Sequence, residues 1–142
     1  MSHARSASGH DLTPPSLVEK TALAADLTEE ERRVILKQGT EPPFCGGLLE
    51  NKEAGVYLCR LCGLPLFHST AKFESGSGWP SFTQPLDPAH VRELSDHGHG
   101  MVRREIRCAR CDGHLGHVFD DGPPPYGQRH CLNSTSLTFK PD

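Results

Sequence analysis

The chain contains the run Gly55-Val56-Tyr57-Leu58-Cys59-Arg60-Leu61-Cys62, a strand-like segment that ends in a Cys-x-x-Cys pair. A second pair follows as Cys108-Ala109-Arg110-Cys111. Each pair lets a tight turn aim two thiolates at one point, and zinc binds four such ligands as a tetrahedron. The two pairs lie further apart than those of common zinc fingers. We therefore predict one structural zinc per chain, which staples distant parts of a sheet together.

Other chemistry can also use paired cysteines. The alternatives are a redox-active pair of the thioredoxin type, an iron–sulfur centre, and four ordinary reduced thiols. Duplication argues against the redox alternative, because one redox dithiol needs only one pair. The spacing of the cysteines does not distinguish a zinc site from an iron site. A site closed by four thiolates has no position for a catalytic water, which favours a structural role.

The remaining sequence predicts short strands with one helix before them. Thr28 and Glu31 form a capping-box pattern that starts a helix, and Gly39 is expected to end it. Strand-like composition lies beside both cysteine pairs and at Ser136-Leu137-Thr138-Phe139. Residues 1–16 show no periodicity. We predict a flexible segment over residues 1–25 and a mainly antiparallel β domain over residues 26–142.

Length and charge narrow the function classes. The 142 residues suit one domain, and the net charge of −3 gives no basic excess for nucleic acid. No apolar stretch is long enough to cross a bilayer, and no secretion signal is recognisable near Met1. A cytoplasmic protein is expected, in which thiols stay reduced. Neither nucleic acid nor a membrane is an expected partner.

Cys131 stands apart from the pairs, in Arg129-His130-Cys131-Leu132-Asn133. Because the thiolate is the nucleophile, Arg129 and nearby histidines are expected to lower the pKa of Cys131. Asn133 can hold a polar substrate atom. The alternative is a small buried core cysteine, since free cysteine is often buried.

Two histidines and an aspartate follow the second pair closely. They are His114, His117 and Asp121. A histidine beside a reactive group can act as a proton donor, and Asp121 is predicted to orient it. Alternatively, a histidine is a metal ligand or belongs to a structural hydrogen-bond network.

These motifs together resemble the type B methionine-R-sulfoxide reductases over residues 27–139. The resemblance rests on both cysteine pairs and on Gly39-Thr40-Glu41-Pro42-Pro43-Phe44, Phe73-Glu74-Ser75-Gly76-Ser77-Gly78-Trp79-Pro80-Ser81-Phe82, His114-Leu115-Gly116-His117-Val118-Phe119-Asp120-Asp121-Gly122-Pro123 and Arg129-His130-Cys131-Leu132-Asn133-Ser134. It implies two antiparallel sheets, a structural zinc on the four paired cysteines and Cys131 as nucleophile. It also implies a substrate site lined by Trp79, His114, His117, Asp121, Arg129 and Asn133.

The implied chemistry suits these residue types. A sulfoxide sulfur becomes electrophilic when its oxygen is protonated, so the site needs a thiolate and an acid. His117, with His114, is the expected acid, and Arg129 and Asp121 are expected to set the charges. Trp79 is expected to form an apolar wall for the S-methyl group, although core packing is its alternative role. The product on Cys131 is a sulfenic acid, which a second thiol can convert to a disulfide.

The chain departs from the family pattern at the resolving thiol. Ser77 stands where many members have that cysteine. By elimination Cys45 is predicted to resolve the sulfenic acid, in a glycine-containing loop able to reach Cys131. Alternatively Cys45 is incidental and an external reductant acts directly. His130 replaces the usual Tyr or Phe, which puts the aromatic packing beside the nucleophile in question.

The resemblance implies thioredoxin as reductant and either oxidised proteins or free methionine sulfoxide as substrate. A monomer is expected. Two functions of other classes remain: a zinc-ribbon binding module without catalysis, and a zinc hydrolase. Alkylation of Cys131 would leave the binding activity of a zinc-ribbon module intact, but it would abolish the activity of a reductase. A metal held by four thiolates would exclude the hydrolase, which needs an open coordination position.

Overall fold

The computed structural model describes residues 5–44, 46–97, 100 and 102–142. Two helices precede the strands, α1 (Leu17–Ala24) and α2 (Glu29–Ile35). The strands are β1 (Gly55–Cys59), β2 (Pro65–His68), β3 (Lys72–Phe73), β4 (Ser81–Phe82), β5 (Val91–Asp96), β6 (Arg103–Cys108), β7 (His114–Phe119), β8 (Arg129–Leu132) and β9 (Leu137–Pro141). Short 3-10 helices lie at Ser69–Ala71, Pro88–His90 and Ser134–Ser136.

The strands form two antiparallel sheets, with the orders β2-β1-β9 and β3-β4-β8-β7-β6-β5. The predicted fold is therefore confirmed: a mainly β chain with a short N-terminal helical region and two antiparallel sheets. In the larger sheet, β8 and β7 occupy the centre. Side chains on these two strands thus have supporting strands on both sides.

Aromatic rings from both sheets form the centre of the core. Phe67 of β2 stacks on Phe82 of β4 with ring centroids 4.5 Å apart, and Tyr57 of β1 meets Phe82 at 5.0 Å. All three side chains are fully buried. Truncating such a ring to alanine typically costs about 3–5 kcal/mol. This contact fixes how the two sheets lie against each other.

Helix α2 begins where the capping box predicted. The Thr28 hydroxyl accepts from the Glu31 N–H, and the Glu31 carboxylate accepts from the Thr28 N–H. The helix ends at Ile35, earlier than the predicted Gly39. The reason lies in Gln38, whose φ of 59° is left-handed and turns the chain away from the helix axis.

The N-terminal segment has contacts that its composition did not predict. The Ser6 hydroxyl lies 2.7 Å from Nε2 of the fully buried His90, and the Ser8 hydroxyl donates to Asp87 at 2.9 Å. Ser16 caps α1. In its described part this segment therefore contacts the 3-10 helix before β5, and its flexibility stays a prediction.

No helix among the described residues combines the length and apolar character needed to cross a membrane.

Candidate active site

Cys131 lies on β8, near the middle of the six-stranded sheet. In the sheet register it faces Ser81 of β4 on one side and His117 of β7 on the other. Gly116 permits this close pairing, because a Cβ atom there would collide with the carbonyl oxygen of Cys131. The fold thus brings the predicted nucleophile and a predicted acid together from strands that are neighbours in space.

A cavity of about 240 Å³ opens beside Cys131. Its lining residues are Thr40, Ser77, Trp79, Arg103, Gly116, His117, Phe119, Arg129, Cys131, Leu132 and Asn133. The cavity therefore gathers five of the predicted site residues, whereas His114 and Asp121 do not line it.

A larger cavity, of about 410 Å³, shares Trp79 with the first. It lies against β3, where Lys72 and Phe73 contribute to its wall. No cysteine or histidine is among its lining residues within the described chain. The smaller cavity is therefore the candidate for sulfur chemistry.

The thiol of Cys131 is more protonated than the sequence predicted. Burial raises the pKa of Cys131 above its ordinary value, although the Ser77 hydroxyl and the Arg129 charge favour the thiolate. The predicted fall in this pKa is therefore wrong, because desolvation outweighs the cation. Ser77, which the sequence analysis treated only as a missing cysteine, instead stabilises the thiolate.

Replacing Ser77 with alanine is expected to raise the pKa of Cys131 further. The thiolate loses a hydrogen bond while its burial remains, so the thiolate fraction at pH 7 falls. A rise of one unit in this pKa makes the thiolate fraction at pH 7 about tenfold smaller. The rate of Cys131 alkylation by iodoacetamide, followed against pH by mass spectrometry, should shift to higher pH. The maximum alkylation rate, which is reached at high pH where the thiol is ionised, should not change.

Ser95→Ala, which removes an exposed hydroxyl on β5, provides the matched control for this experiment. Its alkylation profile should match that of the parent. A Ser77→Ala profile equal to both would show that Ser77 does not stabilise the thiolate.

Each of the two histidines pairs with a carboxylate other than Asp121. His117 Nε2 lies 2.8 Å from Asp96 Oδ2, and His114 Nδ1 lies 2.7 Å from Glu105 Oε2. The prediction that Asp121 orients a histidine is wrong. The carboxylate partners come from β5 and β6, the strands that continue the sheet beyond β7.

The histidines differ in access to the cavity. The side chain of His117 is 13% exposed and lines the cavity, whereas that of His114 is 2% exposed and does not. Burial lowers the pKa of His114, against the opposing effect of its hydrogen bond with Glu105. His117 is therefore the imidazole that can meet a ligand.

Asp121 acts on the cavity through Arg129. Two parallel hydrogen bonds, of 2.9 and 3.0 Å, join the Arg129 guanidinium to the Asp121 carboxylate. They lower the pKa of Asp121. The guanidinium carbon also lies 4.4 Å from the centre of the Phe119 ring. These contacts hold one cation at the cavity wall.

Asn133 and Trp79 are held by the same backbone segment. The Glu41 N–H donates to Asn133 Oδ1 at 3.0 Å, and Trp79 Nε1 donates to the Glu41 carbonyl at 2.9 Å. Asn133 Nδ2 donates to the Leu115 carbonyl. The Asn133 amide therefore braces the cavity wall, whereas the sequence suggested a direct hold on a substrate atom.

The four paired cysteines form a separate cluster. Cys59 Sγ lies 3.6 Å from Cys111 Sγ, and Cys62 Sγ lies 3.5 Å from Cys108 Sγ. All four sulfur atoms lie within 4.8 Å of one another. Cys59 ends β1 and Cys108 ends β6, so the cluster joins the two sheets, where the sequence suggested two parts of one sheet.

The geometry of this cluster fits a tetrahedral metal ion. Zinc–sulfur bonds of about 2.3 Å place tetrahedral sulfur atoms about 3.8 Å apart. The observed separations are far longer than a disulfide bond of about 2.05 Å. The Gly113 N–H donates to Cys111 Sγ at 3.4 Å. The cluster can therefore hold a metal ion with four sulfur ligands.

Two further predictions concern residues near the nucleophile. His130 faces away from the cavity and is buried against Phe67 at a ring distance of 5.9 Å, so it takes part in the aromatic packing of the core. Burial lowers its pKa. Cys45, the predicted resolving residue, lies outside the described residues.

Three polar residues that were not predicted from the sequence support the predicted site residues: Ser77 beside the thiol, Asp96 beside His117 and Glu105 beside His114. Nothing in the local spacing identifies Asp96 or Glu105, because strand pairing brings each of them to its histidine. Ser77 lies in the same sequence motif as Trp79, and its place in that motif could have identified it as a site residue.

Comparison with known proteins agrees with this geometry. The SelR domain family matches residues 27–141. The peptide methionine sulfoxide reductase MsrB of Xylella fastidiosa (strain M23) is 62% identical over 131 residues, covering 92% of this chain and 84% of that protein.

Two further relatives are also peptide methionine sulfoxide reductases MsrB. The protein of Caulobacter vibrioides (strain NA1000 / CB15N) is 60% identical over 134 residues, covering 94% of this chain and 84% of its own. The protein of Escherichia coli O45:K1 (strain S88 / ExPEC) is 56% identical over 117 residues, covering 82% and 85%. The chain therefore belongs to the SelR domain family of MsrB methionine sulfoxide reductases.

Proposed function

We propose that the chain is an oxidoreductase that reduces the R epimer of methionine sulfoxide, free or protein-bound, to methionine, with Cys131 as the nucleophile. The observation that carries the proposal is the register pairing of Cys131 with His117 at one cavity. A thiol and an imidazole at one small cavity supply the nucleophile and acid that the reaction needs. Preference for the R epimer follows from the family.

The cavity walls suit a methionine sulfoxide side chain. Trp79 and Phe119 offer apolar surface for the S-methyl group and the methylene groups. His117 donates to the sulfoxide oxygen, and Arg129 favours both the thiolate and the negative charge developing on that oxygen. Substrate that displaces water around Cys131 strengthens these electrostatic contacts.

The chemical step balances with one proton. The thiolate of Cys131 attacks the sulfoxide sulfur and forms a sulfur–sulfur bond, while the sulfoxide oxygen takes a proton from the acid. The resulting hydroxyl group then passes to the sulfur of Cys131 as the sulfur–sulfur bond and the sulfur–oxygen bond to methionine both break. The products are methionine and a sulfenic acid on Cys131. The sulfoxide sulfur gains two electrons and the cysteine sulfur loses two.

Regeneration requires a second thiol. We assign this role to Cys45, because in the sequence it is the one cysteine outside the metal cluster and the nucleophile. Its thiol condenses with the sulfenic acid, which releases water and forms a disulfide. The dithiol of thioredoxin then reduces that disulfide and becomes oxidised itself.

The metal of the four-cysteine cluster is assigned as one zinc ion per chain. Four thiolates suit zinc, although iron accepts the same ligand set. None of the four cysteines lines the cavity of Cys131. The ion therefore supports the fold and takes no part in the reaction, in a protein proposed to act as a cytoplasmic monomer.

A binding module without catalysis explains the metal cluster but not the second site. It requires no cysteine beside a histidine and a paired arginine at a separate cavity. The reductase proposal accounts for both features, which is why it is preferred.

A steady-state assay tests the proposal. We expect the parent protein with thioredoxin, thioredoxin reductase and NADPH to form methionine from the R epimer at least about 100-fold faster than from the S epimer. Equal rates on both epimers, or no methionine from either, would contradict the proposed function.

The same assay tests regeneration with Cys45→Ser. Turnover with thioredoxin should fall at least about tenfold, and the disulfide with Cys131 should be absent from peptide maps. Unchanged thioredoxin-dependent turnover would reject the role of Cys45 and leave the reduction step intact.

A further inference from the structure

Asp96 contacts the imidazole that lines the candidate active site. The Asp96 carboxylate lies at the end of β5, and its Oδ2 atom is 2.8 Å from His117 Nε2. Arg103 NH2 donates to the same oxygen at 3.3 Å. The side chains of Asp96 and His117 are 27% and 13% exposed, so this pair is only partly screened by water. A carboxylate in this position controls the proton arrangement of the ring.

We propose that Asp96 is a positioning residue for His117: it fixes Nε2–H towards the carboxylate and stabilises the imidazolium that donates through Nδ1 to the sulfoxide oxygen. The proposal rests on the proposed reductase function. It goes beyond that function by assigning the group that makes His117 a donor.

The proton inventory of histidine supports this assignment. A carboxylate accepts only, so the ring nitrogen that faces Asp96 must be the donor. Neutral His117 then has its single proton on Nε2, and Nδ1 has a lone pair. A lone pair cannot donate to a sulfoxide oxygen. The active acid is therefore the imidazolium, with its positive charge next to Asp96.

Other charged or titratable groups also face His117. They are Arg103 and Glu105 on β6, His114 on β7, Arg129 and Cys131 on β8, and Lys37 after α2. Among the hydrogen bonds of the described residues, the one to Asp96 is the direct bond to the His117 ring. This contact makes Asp96 the residue whose charge most directly affects the imidazolium.

The neighbouring pair of Glu105 and His114 does not have the same role. His114 Nδ1 lies 2.7 Å from Glu105 Oε2, which is close to the distance in the Asp96 pair. The His114 side chain, however, is 2% exposed and does not line the cavity. Its Nε2 atom is buried without a hydrogen-bond partner among the described residues. The His114 ring therefore lies behind the site and supports the sheet.

Asp96→Asn tests the proposal, because the amide can still accept from Nε2–H but has no charge. We expect kcat/KM for the R epimer to fall about 10- to 100-fold near neutral pH, part of the 100- to 10,000-fold that a positioned acid contributes. The fall follows because the amide no longer supplies the negative charge that stabilises the imidazolium.

Asp96→Glu, which restores a carboxylate, should return kcat/KM towards that of the parent. Glu93→Gln is the matched control, because Glu93 lies on the same strand and pairs with Arg104 at 3.1 Å, not with His117. Its kcat/KM should equal that of the parent. A parent-like kcat/KM for Asp96→Asn, or an equal fall in Glu93→Gln, would overturn the proposal.

A second readout does not depend on activity. Nitrogen-15 NMR of the His117 ring, assigned with His117→Gln, should show the Nε2–H tautomer in the parent and loss of that preference in Asp96→Ala. If the parent lacks reductase activity but shows this change, the positioning stands and the proposed function fails. If the tautomer is the same in both proteins, the positioning is wrong whatever the activity.

Discussion

Replacing Cys131 with serine is expected to reduce methionine formation from the R epimer at least about 1,000-fold. A serine hydroxyl does not ionise near neutral pH and cannot form a sulfenic acid, and loss of a catalytic nucleophile typically has effects of this size. Methionine should be quantified by chromatography with dithiothreitol as reductant. This reductant makes the result independent of the resolving step.

The structural effect of this change should be small. Serine is close in size to cysteine, and Cys131 is not part of the metal cluster. The free energy of unfolding should therefore change by less than about 1.5 kcal/mol, and the metal content should equal that of the parent. Activity near the parent level in a folded, metal-containing variant would reject Cys131 as the nucleophile.

Replacing Cys111 with serine is expected to have the largest effect on stability. The cluster joins the end of β1 to the end of β6, so loss of the proposed metal removes a link between the two sheets that adds to their aromatic core contacts. Structural zinc contributes many kcal/mol to folding, and we expect a loss of at least about 4 kcal/mol. For a chain of this size this corresponds to a fall in Tm of roughly 10 °C or more.

Metal analysis and calorimetry together measure this effect. The parent and the matched control Cys131→Ser should each contain one zinc per chain and share a similar Tm. Cys111→Ser should contain less zinc and melt lower. If Cys111→Ser kept the parent Tm after losing its metal, the cluster would not stabilise the packing of the two sheets. If the parent contained iron, the assignment of zinc would be wrong.

Local signals in the sequence were sufficient for much of the fold. The capping box of Thr28 and Glu31 fixed the start of α2, because its hydrogen bonds join residues three positions apart. The strand before Cys59 and the grouping of the four paired cysteines were also predicted correctly. These features depend on neighbours in the chain or on a single ligand geometry.

The partners of the histidines required long-range register, which the sequence does not display. Asp121 is near His117 in the sequence, but four residues along an extended strand span about 13 Å. Asp121 therefore reaches Arg129 on the neighbouring chain segment, and Asp96 reaches His117 from β5. Proximity in the sequence misled the prediction because β-structure separates residues that helices would bring together.

The protonation of Cys131 also required the structure. The sequence shows Arg129 two positions away, which favours a thiolate. It does not show how far Cys131 is buried, and burial has the larger effect on its pKa. The balance between a nearby cation and desolvation can be judged only once the surrounding side chains are in place.

A single-turnover experiment tests most directly the claim that Cys131 takes the oxygen from the sulfoxide. Reduced Cys45→Ser protein should be mixed with excess R-methionine sulfoxide and dimedone, without any reductant, and examined by mass spectrometry. We predict one methionine per chain and one dimedone adduct, on the peptide that contains Cys131. Methionine formed while Cys131 remains an unmodified thiol, or an adduct on a different cysteine, would contradict the claim.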